Sequence, residues 1–130
     1  MNEMKQPSFI VRAIKWFDPR WRSISTWGFI VNRITALGLT LYLFLHLTML
    51  GNLARGAEAY NSFISMVHNP VFIFGEVLVV AAGLIHGLNG VRIGLNSFGV
   101  AVKYQKGLFF GLMIVAVLGS LYFAYRMFAA

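Results

Sequence analysis

The stretch Leu84-Ile-His-Gly-Leu-Asn-Gly-Val-Arg92 lies near the end of a long apolar run and decides how the chain is read. His86 and Asn89 sit inside what otherwise reads as a helix embedded in hydrocarbon, and Arg92 marks where that helix reaches water. Polar groups at membrane depth are costly, so each one is a functional hypothesis.

Composition supports a membrane setting. Of 130 residues, 58% are hydrophobic and 12% charged, and the mean hydropathy is +0.72, outside the range of ordinary soluble domains. Three segments of about 20 residues each consume nearly the whole chain. The expectation is therefore an all-α membrane protein, with residues 1–130 forming a single membrane-anchor domain. Its spans fall at about 28–50, 71–93 and 108–128. Residues 1–27 form an interfacial segment in which Lys5, Arg12, Lys15, Arg20 and Arg22 alternate with Phe9, Ile14, Trp16, Trp21 and Trp27, and Asp18-Pro19 breaks any helix there. A cleaved signal is not expected, because the first apolar run begins too late and is too long. Between the first two spans, Tyr60, Phe63, Ile64 and Val67 recur at helical spacing, which predicts a short surface helix, and Pro70 opens the next one.

The absence of cysteine excludes disulfides, iron–sulfur ligation and thiol chemistry by this chain, leaving His46, His68 and His86 as nitrogen ligands. The net charge of +7 reflects basic residues flanking apolar runs, so no nucleic-acid partner is expected. Lys5, Arg12, Lys15, Arg20, Arg22, Lys103 and Lys106 fall on one side, with Arg33 and Arg92 at its edge; Arg55 and Arg126 fall on the other. The positive-inside rule puts the amino terminus in the cytoplasm and the carboxyl terminus outside, in a multi-pass protein of the cell's inner (cytoplasmic) membrane.

Depth separates the polar groups. At about 1.5 Å per residue, His86 lies roughly 9 Å from Arg92 and His46 roughly 20 Å from Arg33, so the two histidines differ in depth by on the order of 10 Å. They are badly placed to ligate one iron together. His86 shares a helix face with Gly83 and Gly90, a cleared strip that suits a flat macrocycle beside its axial ligand. The competing reading makes these glycines, with Gly87 and Gly94, helix-packing positions and His86 an interhelical hydrogen-bonding group. His46, on a stripe with Asn32, Thr35, Leu39 and Tyr42, reads equally as a ligand or an interface residue. His68 reads as a solvated loop residue. Arg33 either snorkels to headgroups or donates to a polar ligand. Glu76 reads as an interfacial carboxylate. No phosphate-binding loop, carboxylate pair or hydrolytic triad is present.

The motif His86-x-x-x-Gly90-x-Arg92 resembles the signature of the cytochrome b (C) subunit family of succinate dehydrogenase, respiratory complex II. Asn32-Arg-Ile-Thr-Ala-Leu-Gly38 is similar to that family's His-Arg-x-Ser-Gly entry to the first helix, and Leu43-Phe-Leu-His-Leu47 and Glu58-Ala-Tyr-Asn61 fit its bacterial and archaeal branch. The resemblance covers residues from about 20 to 100. It implies an anchor that pairs with a second small membrane-anchor subunit and holds the iron–sulfur and flavoprotein subunits, which carry the iron–sulfur clusters and FAD. Electrons then reach a membrane quinone.

By the same resemblance His86 is an axial ligand of haem b, with the opposite ligand from the partner. Arg33 and Arg92 face the haem propionates, and Arg33, Thr35, Trp27 and Ser25 line the quinone pocket. His46 would serve a second, outer haem. This sequence departs from the pattern at Asn32, where the family has histidine; at Phe29, where it often has serine; and at Asn96-Ser97, where an acid often follows. Succinate oxidation itself belongs to another chain. The alternatives are a haem-free structural anchor, or the cytochrome b anchor of another respiratory dehydrogenase.

Overall fold

A computed structural model describes residues 8–17 and 23–129. The chain runs through α1 (Phe9–Phe17), α2 (Ile24–Ala54), α3 (Ala57–Val67), α4 (Pro70–Ser97) and α5 (Gln105–Ala129). Among the described residues every regular element is helical, and α2, α4 and the segment containing α5 are each long and apolar enough to cross a membrane. Asp18-Pro19, Arg20, Trp21 and Arg22 lie outside the described residues, as does Lys5, so the expected helix break is not among the features seen.

Each spanning helix is longer than its apolar core. The cause at α2 is a cap: the Ser23 hydroxyl accepts from the Thr26 amide at 3.3 Å, which starts the helix before the hydrophobic run does. Ser25 and Trp27, expected in the interfacial segment, therefore belong to the first turn of α2. At 31 residues this helix is about 46 Å long, against a hydrocarbon thickness of about 30 Å. It ends at Ala54, and Gly56, whose φ of 107° suits glycine, turns the chain into α3.

Along α3 the half-buried residues include Tyr60, Phe63, Ile64 and Val67, the face expected from spacing. Asn69 caps α4 by accepting from the Val71 amide at 3.0 Å, with Pro70 at the first helical position. After α4, Gly99 (φ 74°) and Ala101 (φ 61°) reverse the chain. A single 3₁₀ turn at Val102–Tyr104 then leads into α5, whose start at Gln105 precedes the expected Leu108.

The central helix is α4, which packs against both α2 and α5, whereas α2 and α5 touch each other much less. Small residues bring α4 and α5 together. Ala116 is fully buried, and a Cβ added at Gly119 would stand 3.0 Å from Leu84 Cδ1, so the close approach depends on small side chains. The polarity of the bundle is inverted relative to a soluble protein. Leu37, Leu41 and Phe44 on α2 and Leu118 and Leu121 on α5 are exposed, while the largest fully buried side chains are Arg92 and Asn89.

Replacing Gly119 with leucine should overpack the α4–α5 contact by about 1–3 kcal/mol and lower the thermal midpoint of the detergent-solubilised protein. Gly111→Leu, where an added Cβ meets nothing within 4 Å, should leave it nearly unchanged.

Candidate functional site

The polar residues of α4 fall on successive turns of one side. His86, Asn89 and Arg92 are three residues apart, a spacing that stacks side chains along a helix. Opposite them on α2 stand Gly28, Asn32 and Thr35, on a similar stripe. Because α2 and α4 run antiparallel, the two stripes meet turn for turn.

The Asn89 carboxamide, fully buried, grips α2 at two points. Its Nδ2 donates to the Gly28 carbonyl and, at 3.4 Å, to Oδ1 of Asn32. Its Oδ1 accepts from Nε of Arg92 at 3.0 Å. Arg92 is 2% exposed and lies across Gly28, where any Cβ would collide with its Nη2. Its Cζ is 5.2 Å from the centroid of the Phe109 ring on α5, so the guanidinium touches all three spanning helices. Nη1 has no hydrogen-bond partner among the described residues. The described acids, Glu58 and Glu76, stand toward the opposite end of the bundle; Glu76 precedes Arg92 by 16 residues on the same helix, or about 24 Å.

One turn further along, Nδ1 of His86 lies 3.0 Å from the Asn32 main-chain carbonyl and 3.3 Å from the Thr35 hydroxyl. The carbonyl can only accept, so Nδ1 carries the proton and Nε2 keeps its lone pair. Thr35 donates its own proton back along α2, to the Val31 carbonyl at 2.8 Å and within reach of the Asn32 carbonyl at 3.0 Å, leaving its oxygen as a second acceptor for His86. The ring is half-buried. Added Cβ atoms at Gly83, Gly87, Gly90 and Gly94 would meet nothing within 4 Å, so these glycines are not needed for packing within this chain.

His46 stands elsewhere. Since His86 is level with Asn32 and Thr35, His46 lies 11 residues beyond Thr35 on α2, or about 16 Å away along the axis. The separation is wider than the sequence arithmetic gave. Its ring stacks on Tyr42 with centroids 5.4 Å apart, and Nδ1 is 3.3 Å from the Tyr42 hydroxyl. A phenol can donate or accept, so this contact does not choose the tautomer as the carbonyl does for His86. His68 is an exposed residue at the end of α3, donating from Nδ1 to the Ile64 carbonyl at 3.0 Å.

The residues expected in a quinone pocket diverge. Ser25 donates to Oε1 of Gln105 on α5 at 2.9 Å, and Thr35 faces His86. Arg33 is exposed, with its Cζ 4.3 Å from the centroid of the Phe29 ring, and Trp27 is 37% exposed. Among the described residues Arg33, Trp27 and Ser25 are exposed, Ser25 while bonded to α5, whereas Thr35 is half-buried against α4.

Asn89 and Gly28 received no site role from the sequence. Their signal was positional: an asparagine midway between His86 and Arg92, and a glycine one turn before Asn32.

Residues 12–123 match the family described as succinate dehydrogenase/fumarate reductase transmembrane subunit. A succinate dehydrogenase hydrophobic membrane anchor subunit from Halobacterium salinarum is 29% identical over 99 residues, covering 74% of this chain and 76% of that protein. A succinate dehydrogenase 2 membrane subunit SdhC from Mycobacterium tuberculosis is 27% identical over 97 residues, covering 74% of this chain and 67% of that protein.

Removing the guanidinium by Arg92→Ala strands the buried Asn89 oxygen and opens a cavity. A loss of about 2–4 kcal/mol is expected, read as a lower thermal midpoint in detergent. Arg92→Met, which refills the volume and no longer buries a cation, should lose less.

Proposed function

The chain belongs to the succinate dehydrogenase/fumarate reductase transmembrane subunit family, and from that premise we propose that it is the haem b-binding anchor of a complex II, with His86 as axial ligand and Arg33 at the quinone edge. The observation that carries this reading is the His86 tautomer. A carbonyl on Nδ1 leaves Nε2 unprotonated, the state in which imidazole ligates iron, and the same hydrogen bond raises its basicity. The open positions at Gly83, Gly87 and Gly90 beside a half-buried ring fit a flat macrocycle and weaken the alternative in which the glycines serve packing within the chain.

When bound, haem b supplies one-electron transfer between the iron–sulfur subunit and membrane quinone. The protein's own part is to hold His86 in one tautomer, to shield it between α2 and α4, and to offer cations at the rim. Arg33, exposed and flattened on Phe29, is the donor for a quinone carbonyl or a haem propionate, with Trp27 as a neighbouring wall. Arg92 faces the bundle interior, and its Nη1, without a partner among the described residues, leaves it a further donor toward a propionate. A second small anchor and the iron–sulfur subunit would supply the remaining haem contacts and the rest of the quinone pocket, with FAD held by the flavoprotein subunit. The distribution of basic residues supports a cytoplasmic amino terminus and docking of these soluble subunits at the Arg33–Arg92 end.

His46 extends the reading to a second haem near the other face. It is half-buried and too far from His86 to share an iron.

In the assembled complex, His86→Ala should remove the haem held by that residue, about half of the b-type absorbance in reduced-minus-oxidised spectra, and full haem retention would overturn the assignment. His46→Ala should remove about half of the haem; unchanged content would eliminate the second haem. Copurification with a covalently flavinylated subunit separates complex II from a formate or hydrogen dehydrogenase anchor.

A further inference from the structure

Asn89 and His86 make two interhelical contacts on successive turns, and both end on main-chain carbonyls of α2 four residues apart. Asn89 takes the Gly28 carbonyl; His86 takes the Asn32 carbonyl at 3.0 Å. Asn32 joins the two, because its side-chain oxygen also accepts from Asn89 at 3.4 Å. A helical turn is stiff, so the first contact fixes where the second carbonyl stands. Resting on the haem-ligand reading of His86, we propose that Asn89 is a positioning residue: by clasping Gly28 and Asn32 it sets how strongly the α2 carbonyl accepts the Nδ1 proton of His86.

The chemistry of the clasp suits that task. The carboxamide is fully buried and uses both ends, with Arg92 on its oxygen at 3.0 Å. A cationic donor on Oδ1 polarises the amide and strengthens the bonds donated by Nδ2. Arg92 thereby acts on His86 through Asn89, without touching it. A strong acceptor on Nδ1 gives the imidazole more anionic character, and a more basic axial ligand favours ferric over ferrous iron. Loosening the clasp weakens that bond and should make the iron easier to reduce.

The test is redox potentiometry and low-temperature electron paramagnetic resonance on the assembled complex carrying Asn89→Leu, with Gly28→Ala as a second route. The added methyl would displace Arg92 from the clasp. Thr35→Val, which deletes both the second acceptor of the same proton and a competing donor on the Asn32 carbonyl, shows that the potential responds to this hydrogen bond. Asn89→Leu and Gly28→Ala should each shift the midpoint potential upward and change the low-spin g values of the haem that remains. A lower haem content with unaltered potential and g values would reduce Asn89 to a packing residue and overturn the proposal. So would complexes that assemble without any haem in both variants, since a positioning residue leaves the ligand itself in place. A wild-type complex without b haem, or one whose haem content is undiminished by His86→Ala, would overturn the assignment of His86 instead.

Discussion

A guanidinium buried at the junction of three membrane helices is the constraint around which this bundle is arranged. Burying a cation costs several kcal/mol even after relaxation, and the described acids stand near the far end of the molecule. Arg92 is accommodated instead by dipoles and a π-face: the Asn89 oxygen, the open backbone at Gly28 and the ring of Phe109. Each comes from a different spanning helix. The arrangement therefore fixes the approach of α2 to α4 and of α4 to α5 at one end, while small residues around Ala116 and Gly119 govern the approach further along.

That end is also where the candidate chemistry lies. The clasp at Asn89 and the hydrogen bond at His86 are consecutive turns of one interface, so the forces that assemble α2 on α4 also orient the imidazole. Structure and candidate function are not separable here. Beyond them, α2 carries a second histidine with a different kind of partner, a phenol that imposes no tautomer, and an arginine turned outward onto an exposed ring. The chain thus offers its ligand candidates at two depths and a cation at an open rim, with Ser25 and Thr35 committed to neighbouring helices.

Much of this was legible in the residues. Hydropathy located three spans, and the recurrence of Tyr60, Phe63, Ile64 and Val67 gave the surface helix with its inner face. Pro70 gave the start of α4. The ends of α2 and α5 were missed because hydropathy measures where a helix is apolar, whereas Ser23 and the turn at Gly99–Ala101 decide where it begins. At the site, spacing put His86 beside Gly83 and Gly90 but could not say which α2 groups faced it. Thr35 and Ser25 were grouped with Arg33 through resemblance to a family pattern; helical rotation turns Thr35 toward α4 and Arg33 outward, while Ser25, though exposed, is tied to Gln105 of α5. Asn89 escaped a role because an isolated asparagine in a span has many uses, and only its contacts single one out.

The acceptor that α2 presents to His86 is a main-chain oxygen, and every residue type carries one. Position 32 can therefore hold asparagine, where the family pattern has histidine, without removing that oxygen. The vulnerability moves from identity to count. Inserting or deleting one residue between Gly28 and Asn32 would rotate the preceding turn by about 100° and take Gly28 off the Asn89 stripe, even with every side chain of the motif intact. In an alignment of such anchors, the spacing from the Gly28 position to the first-helix arginine is a more informative mark of this interface than the letter before that arginine.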